Sequence, residues 1–97
     1  MAKYELPIYG ENDEITKTYT TNIVSWGVFI QAADLQDKMK DLTVREQMQE
    51  IGNILKAVFE GLTDSELERA DVTDVMNTFI QINSGGQKIK GGNGKNV

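Results

Sequence analysis

Two acidic clusters are the residues of this chain most able to do chemistry. Asp34, Asp37 and Asp41 recur at intervals of three and four, and Asp64, Glu66, Glu68, Asp71 and Asp74 follow later. Carboxylates gathered this way can hold a divalent cation or share a proton. A calcium loop, however, needs alternating ligands around a central glycine, and neither cluster has one. Acidic residues at these intervals also suit solvated helix faces and the first turns of helices, where they meet exposed amides and the positive end of the helix dipole. A catalytic carboxylate pair further needs a pocket that raises one pKa, which a small hairpin-and-helix chain has little room to form. The sequence therefore argues against an enzyme.

Other routes to chemistry close quickly. The chain has no cysteine and no histidine. It therefore lacks thiolate nucleophiles, thiolate or imidazole metal ligands, and the usual proton shuttle of neutral pH. Gly94-Lys95 sits in a glycine-rich stretch, but Ile89 occupies the place of the first glycine of a phosphate loop. No Ser or Thr follows the lysine, and no helix follows to aim amides at a phosphate. The expectation is a chain with no cofactor and no metal, which holds something rather than converting it.

Holding requires apolar anchors. Trp26, Phe29, Phe59, Phe79 and Ile80 are the candidate partner-binding residues, because aromatic side chains dominate interface hot spots. The same residues fit a small core equally well, large apolar side chains being the commonest buried groups.

The elements that must position them follow from the period of the apolar residues. Tyr4, Leu6 and Ile8 alternate with Glu5, Pro7 and Tyr9, a period of two that marks one face of a strand. Gly10, Glu11, Asn12 and Asp13 make a turn, and the return strand over 14–20 alternates Ile15, Lys17 and Tyr19. Pro7 lacks an amide hydrogen, so its strand should sit at an edge or be short. A hairpin by itself is marginal in water and must pack on helices or pair with a neighbour.

From there the period changes. Val24, Val28, Ala32, Leu35 and Met39 fall on one helix face, and the spacing predicts a helix over about 23–40. Ile23, Trp26, Phe29 and Ile30 widen that face, which predicts burial on more than one side. Thr43-Val-Arg-Glu46 is a capping box: the threonine accepts from a free amide and the glutamate reaches back to the cap. It opens a second helix, with Val44, Met48, Ile51, Leu55 and Val58 on one stripe, closed by Gly61. Thr63-Asp-Ser-Glu66 repeats the box and opens a short helical turn. Asp71 or Thr73 caps a last helix carrying Val72, Val75, Met76, Phe79 and Ile80 and ending near Ile82. The fold class is therefore α+β: an N-terminal β-hairpin, a small mainly helical domain of about three to four helices over 1–84, and a disordered Gly/Lys-rich tail over 85–97.

Charge divides at the same boundary. Residues 1–84 carry seven Lys/Arg against fifteen Asp/Glu, a net charge of −8, whereas 85–97 carry three lysines and no acid. An acidic body repels phosphate backbones, so nucleic acid is a poor partner. The tail has no aromatic residue to stack bases and reads as a linker or the stub of something longer. With 97 residues the chain buries only roughly 60–65% of its unfolded surface, so self-association would add burial the monomer lacks.

Several local pieces occur together in a telling order: Lys3-Tyr-Glu-Leu6, Tyr9-Gly10 with Asp13-Glu14, Trp26-Gly-Val-Phe29, Gly61-Leu-Thr63, Glu66-Leu67, Ala70-Asp71, Asp74-Val75 and Phe79. Over residues 3–82 the chain resembles the small tail assembly chaperones of long-tailed phages that infect Gram-positive bacteria. The resemblance implies a non-enzymatic protein of the host cell cytoplasm, absent from the mature virion, that binds the tape measure protein and keeps it soluble while the tail tube assembles around it. It also implies a homo-oligomer and a longer form made by ribosomal frameshifting, through which the tail tube protein could be reached. Lys95-Asn96 is a dipeptide that a slippery adenine run can encode. Two alternative readings compete: a structural tail or connector subunit of the virion, and a small nucleic-acid-associated regulator.

Overall fold

The computed structural model describes residues 3–85. An antiparallel hairpin comes first, with β1 over Tyr4–Tyr9 and β2 over Ile15–Thr21. Four helices follow: α1 over Trp26–Lys38, α2 over Val44–Val58, the single turn α3 over Asp64–Leu67, and α4 over Val72–Asn83. A 3-10 turn, Met39–Asp41, joins α1 to α2. The architecture is thus the hairpin-plus-helices arrangement that the periodicities predict. Of the expected tail over 85–97, residues 86–97, with the lysines and Lys95-Asn96, lie outside the described residues.

Local chemistry explains most element ends. At the hairpin turn Asp13 takes the left-handed conformation at φ 64°, one that aspartate tolerates better than most residues, while the Gly10 amide donates to the Glu14 carbonyl at 2.7 Å. Both predicted capping boxes form. Glu46 N donates to Thr43 Oγ1 at 3.1 Å and Thr43 N to Glu46 Oε1 at 2.9 Å, with the matching pair at Thr63 and Glu66. Gly61 sits at φ +89°, where a side chain would be strained. Of the two candidate caps for α4, Asp71 is the one used: its carboxylate accepts from Thr73 N at 3.1 Å.

The hairpin's inner face and the helices close one core. Tyr4, Leu6, Ile8 and Tyr19 meet Ala32 and Leu35 of α1, Ile51, Ile54 and Leu55 of α2, Phe59 and Leu62 beyond it, and Phe79 and Ile82 of α4. The corner between α1 and α2 is held by the Gln47 amide, which donates to the carbonyls of Met39 at 2.9 Å and Leu42 at 3.2 Å. The Met39 carbonyl also accepts from the Leu42 amide at 3.0 Å, so the side chain reinforces the 3-10 turn at its end.

Three expectations need correction. Ile15 does not share the inner face with Lys17 and Tyr19. Ile8 pairs with Lys17 and the next residue, Tyr9, with Ile15, so Thr16 is an extra residue in β2. Such a bulge moves every side chain before it to the other face, and Ile15 lands opposite Tyr9, exposed. The first helix begins at Trp26 rather than 23, because Ser25 caps it by accepting from Val28 N at 3.2 Å. Its N-terminal end is not buried on more than one side: Ile23, Trp26 and Ile30 are all exposed, as is Val44 at the start of α2.

A candidate partner-binding groove beside Trp26 and Phe29

The exposed end of α1 borders an open groove of about 460 Å3. Four parts of the chain build it: Lys3 and Tyr4 where the hairpin begins, Asn22, Ile23 and Val24 from the β2–α1 connection, Trp26 and Phe29 from α1, and Ile82 of α4 with Gly85 just past its end. The Ser25 cap matters here. It starts the helix so that Trp26 occupies the first helical position and Phe29 stands one turn on. Their rings pair with centroids 6.4 Å apart and planes tilted by 38°. Trp26 remains 76% exposed. The connection is held in place by Asn22, whose Oδ1 accepts from the Lys3 amide at 2.8 Å, tying the chain before α1 to the start of β1.

The lining is mostly apolar, with Lys3 and Asn22 as its polar members. Burial pushes the Tyr4 phenol above its ordinary value, so this group stays neutral. Nothing in the lining pairs a nucleophile with a base. A site that converts a small ligand is closed around a few convergent polar groups. This groove is open and one-sided, suited to an apolar ridge of another molecule.

Of the five predicted partner residues, the fold brings Trp26 and Phe29 together and separates the rest. Phe59 and Phe79 belong to the core, each about 1% exposed, and have no surface to offer a partner. For these two the partner expectation is corrected. Phe59 follows the last turn of α2 and packs against Tyr19, ring centroids 6.3 Å apart, and Phe79 faces inward from α4. Ile80 is exposed on α4, but it does not line the groove. Sequence reasoning did not identify Lys3, Tyr4, Asn22, Val24 or Ile82 as lining. They come from distant parts of the chain, and only Ser25 preceding Trp26 hinted that Ile23 would be left outside the helix.

The acidic residues do different work. Glu66 is the centre of a clasp between hairpin and α3. Its carboxylate takes the Tyr19 hydroxyl on Oε1, accepts from Lys17 Nζ on Oε2 at 3.2 Å, and accepts from the Thr63 amide at 3.2 Å. Tyr19 also reaches the Gly61 carbonyl at 3.1 Å. The Tyr19 hydrogen bond, followed by the Thr63 amide and Lys17, holds the Glu66 carboxyl down at about 2 against an ordinary 4.5. A carboxylate held so far below neutrality stays charged and cannot trade protons near pH 7. Asp74 receives the Tyr9 hydroxyl at 3.3 Å, and burial together with this carboxylate raises the Tyr9 phenol. Among the described residues no three or more acidic side chains converge on one point.

Comparison with known proteins returns no match: no family model, curated protein or solved structure is significantly similar to this chain.

Proposed function

We propose that this chain is a tail assembly chaperone of a long-tailed phage, an interaction protein that holds the tape measure protein soluble in the host cytoplasm until the tail tube forms around it. The observation that supports this reading is the groove at Trp26 and Phe29: an indole left in water beside an apolar channel on an acidic body. An amphipathic helix lays apolar side chains at i, i+3, i+4 and i+7 into such a surface. A buried Trp anchor is a typical hot spot, with truncation costing about 2 kcal/mol or more of binding. Several copies arrayed along one long helical client would bind by avidity while each contact remained releasable. The tail tube protein, reached through a frameshifted longer form, would complete the assembly pathway.

Co-expression with the tape measure protein of the same genome tests the proposal. The expected result is a soluble complex that co-purifies with the wild-type chain and is lost with Trp26→Ala. An insoluble client that no form of the chain rescues, short or frameshifted, would overturn it.

A further inference from the structure

The two edges of the hairpin are treated differently. Along β1 and Lys3 just before it, outward-facing backbone groups take partners from α4 and the segment before it. Gln81 Nε2 donates to the Lys3 carbonyl at 2.8 Å, Thr78 Oγ1 donates to the Glu5 carbonyl at 3.2 Å, and the Tyr9 amide donates to the Arg69 carbonyl at 3.0 Å. Pro7, on the same edge, has no amide hydrogen to offer. α4 and the segment before it therefore seal this edge.

The opposite edge is open. Glu5 pairs with Thr20 and Pro7 with Thr18, and because Glu5 and Pro7 turn their backbone groups away from β2, Thr18 and Thr20 turn theirs away from β1. Among the described residues nothing pairs with the amides and carbonyls of Thr18 and Thr20. Soluble proteins usually protect such an edge with proline or outward lysines. β2 has no proline, and its one charged side chain, Lys17, is engaged with Glu66 on the inner face.

We infer that a second copy of this chain pairs with β2 edge to edge, antiparallel across a two-fold axis, to make a four-stranded sheet. The bulge at Thr16 selects the register. Thr18 and Thr20 are the regular outward-facing residues of the strand, and placing Thr18 opposite Thr20 of the second copy joins all four to one another. The same register offsets the two Lys17 residues by four positions, roughly 13 Å along the strands, so like charges do not face each other. Both sealed β1 edges stay outermost, and the sheet cannot grow into a fibre. Unlike the client groove, this contact needs only the chain itself, so its test is independent of the chaperone reading.

Sedimentation of the purified full chain should give twice the 10.8 kDa chain mass at tens of micromolar, with the Thr18 and Thr20 amides protected from hydrogen exchange. Thr20→Pro removes an amide hydrogen that makes no bond within the monomer, and it should return the mass to one chain with unchanged circular dichroism. Because the chain has no cysteine, an equimolar mixture of Thr18→Cys and Thr20→Cys chains should oxidise mainly to the mixed disulfide rather than to either homodimer. A monomer at these concentrations, or a dimer whose Thr18 and Thr20 amides exchange freely, overturns the inference. So does a monomer in which these amides become protected only on adding an extended segment of another protein, which would assign the edge to that partner. Should Thr20→Pro fail to fold, exchange and the disulfide pattern still decide.

Discussion

Replacing Trp26 and Phe59 in turn by alanine separates a surface anchor from a core residue. Trp26 is 76% exposed, so only about a quarter of its surface is covered. For a side chain that can bury up to ~250 Å2, that is roughly 60 Å2, or about 1.5 kcal/mol at ~25 cal/mol per Å2. Alanine is the better helix former by ~0.5 kcal/mol, which brings the net loss for Trp26→Ala to about 1 kcal/mol. Phe59 is covered on all sides, and Phe59→Ala removes a ring and leaves a cavity, a cost of roughly 3–5 kcal/mol. A domain of this size has a total stability of about 4–12 kcal/mol, so Trp26→Ala should stay folded while Phe59→Ala approaches or crosses the unfolding threshold. Urea unfolding followed by circular dichroism measures both. Equal losses, or a larger loss for Trp26→Ala, would refute the assignment of Trp26 to the surface. As the chain's single tryptophan, Trp26 also reports its own exposure, because its emission should be that of indole in water and open to iodide quenching.

Two further outcomes follow from the local chemistry. The fold holds Glu66 in its charged form, so its contribution to stability is complete above pH 4.5 and is lost as the pH falls from there through about 2; wild-type urea midpoints should fall more steeply with acid than those of Glu66→Gln, and parallel profiles would remove Glu66 from the clasp. Gly61 at φ +89° meets no neighbouring atom that an added Cβ would strike, so Gly61→Ala should cost about 1–2 kcal/mol from backbone strain alone, seen as a lower urea midpoint with unchanged spectra, whereas an unchanged midpoint would mean that the turn relaxes freely.

Much of the fold was legible along the chain because its causes are local. The two capping boxes, the strand alternation of Tyr4, Leu6 and Ile8, and the left-handed turn at Gly61 depend on residues a few positions apart. The candidate site was legible only in part. A period of 3.6 identifies an apolar stripe, but it does not say which side of the stripe another element covers. Trp26 and Phe79 therefore looked alike as candidates, and packing placed one in water and the other in the core.

By itself the sequence determined the order and type of the elements, the absence of thiol and imidazole chemistry, and the division into an acidic body and a basic end. Tertiary structure decided the rest. One extra residue in β2 turned Ile15 out to solvent, a fact carried by cross-strand pairing and not by alternation within the strand. The groove exists because the start of β1, the β2–α1 connection, the first turn of α1 and the end of α4 converge from opposite ends of the chain. The difference between the two hairpin edges arises in the same way: Thr78, Gln81 and Arg69 reach the β1 edge from more than fifty positions away, and among the described residues nothing pairs with the outward backbone of Thr18 and Thr20 in β2. Burial and edge pairing are properties of what comes to lie alongside a segment, so no window along the chain contains them.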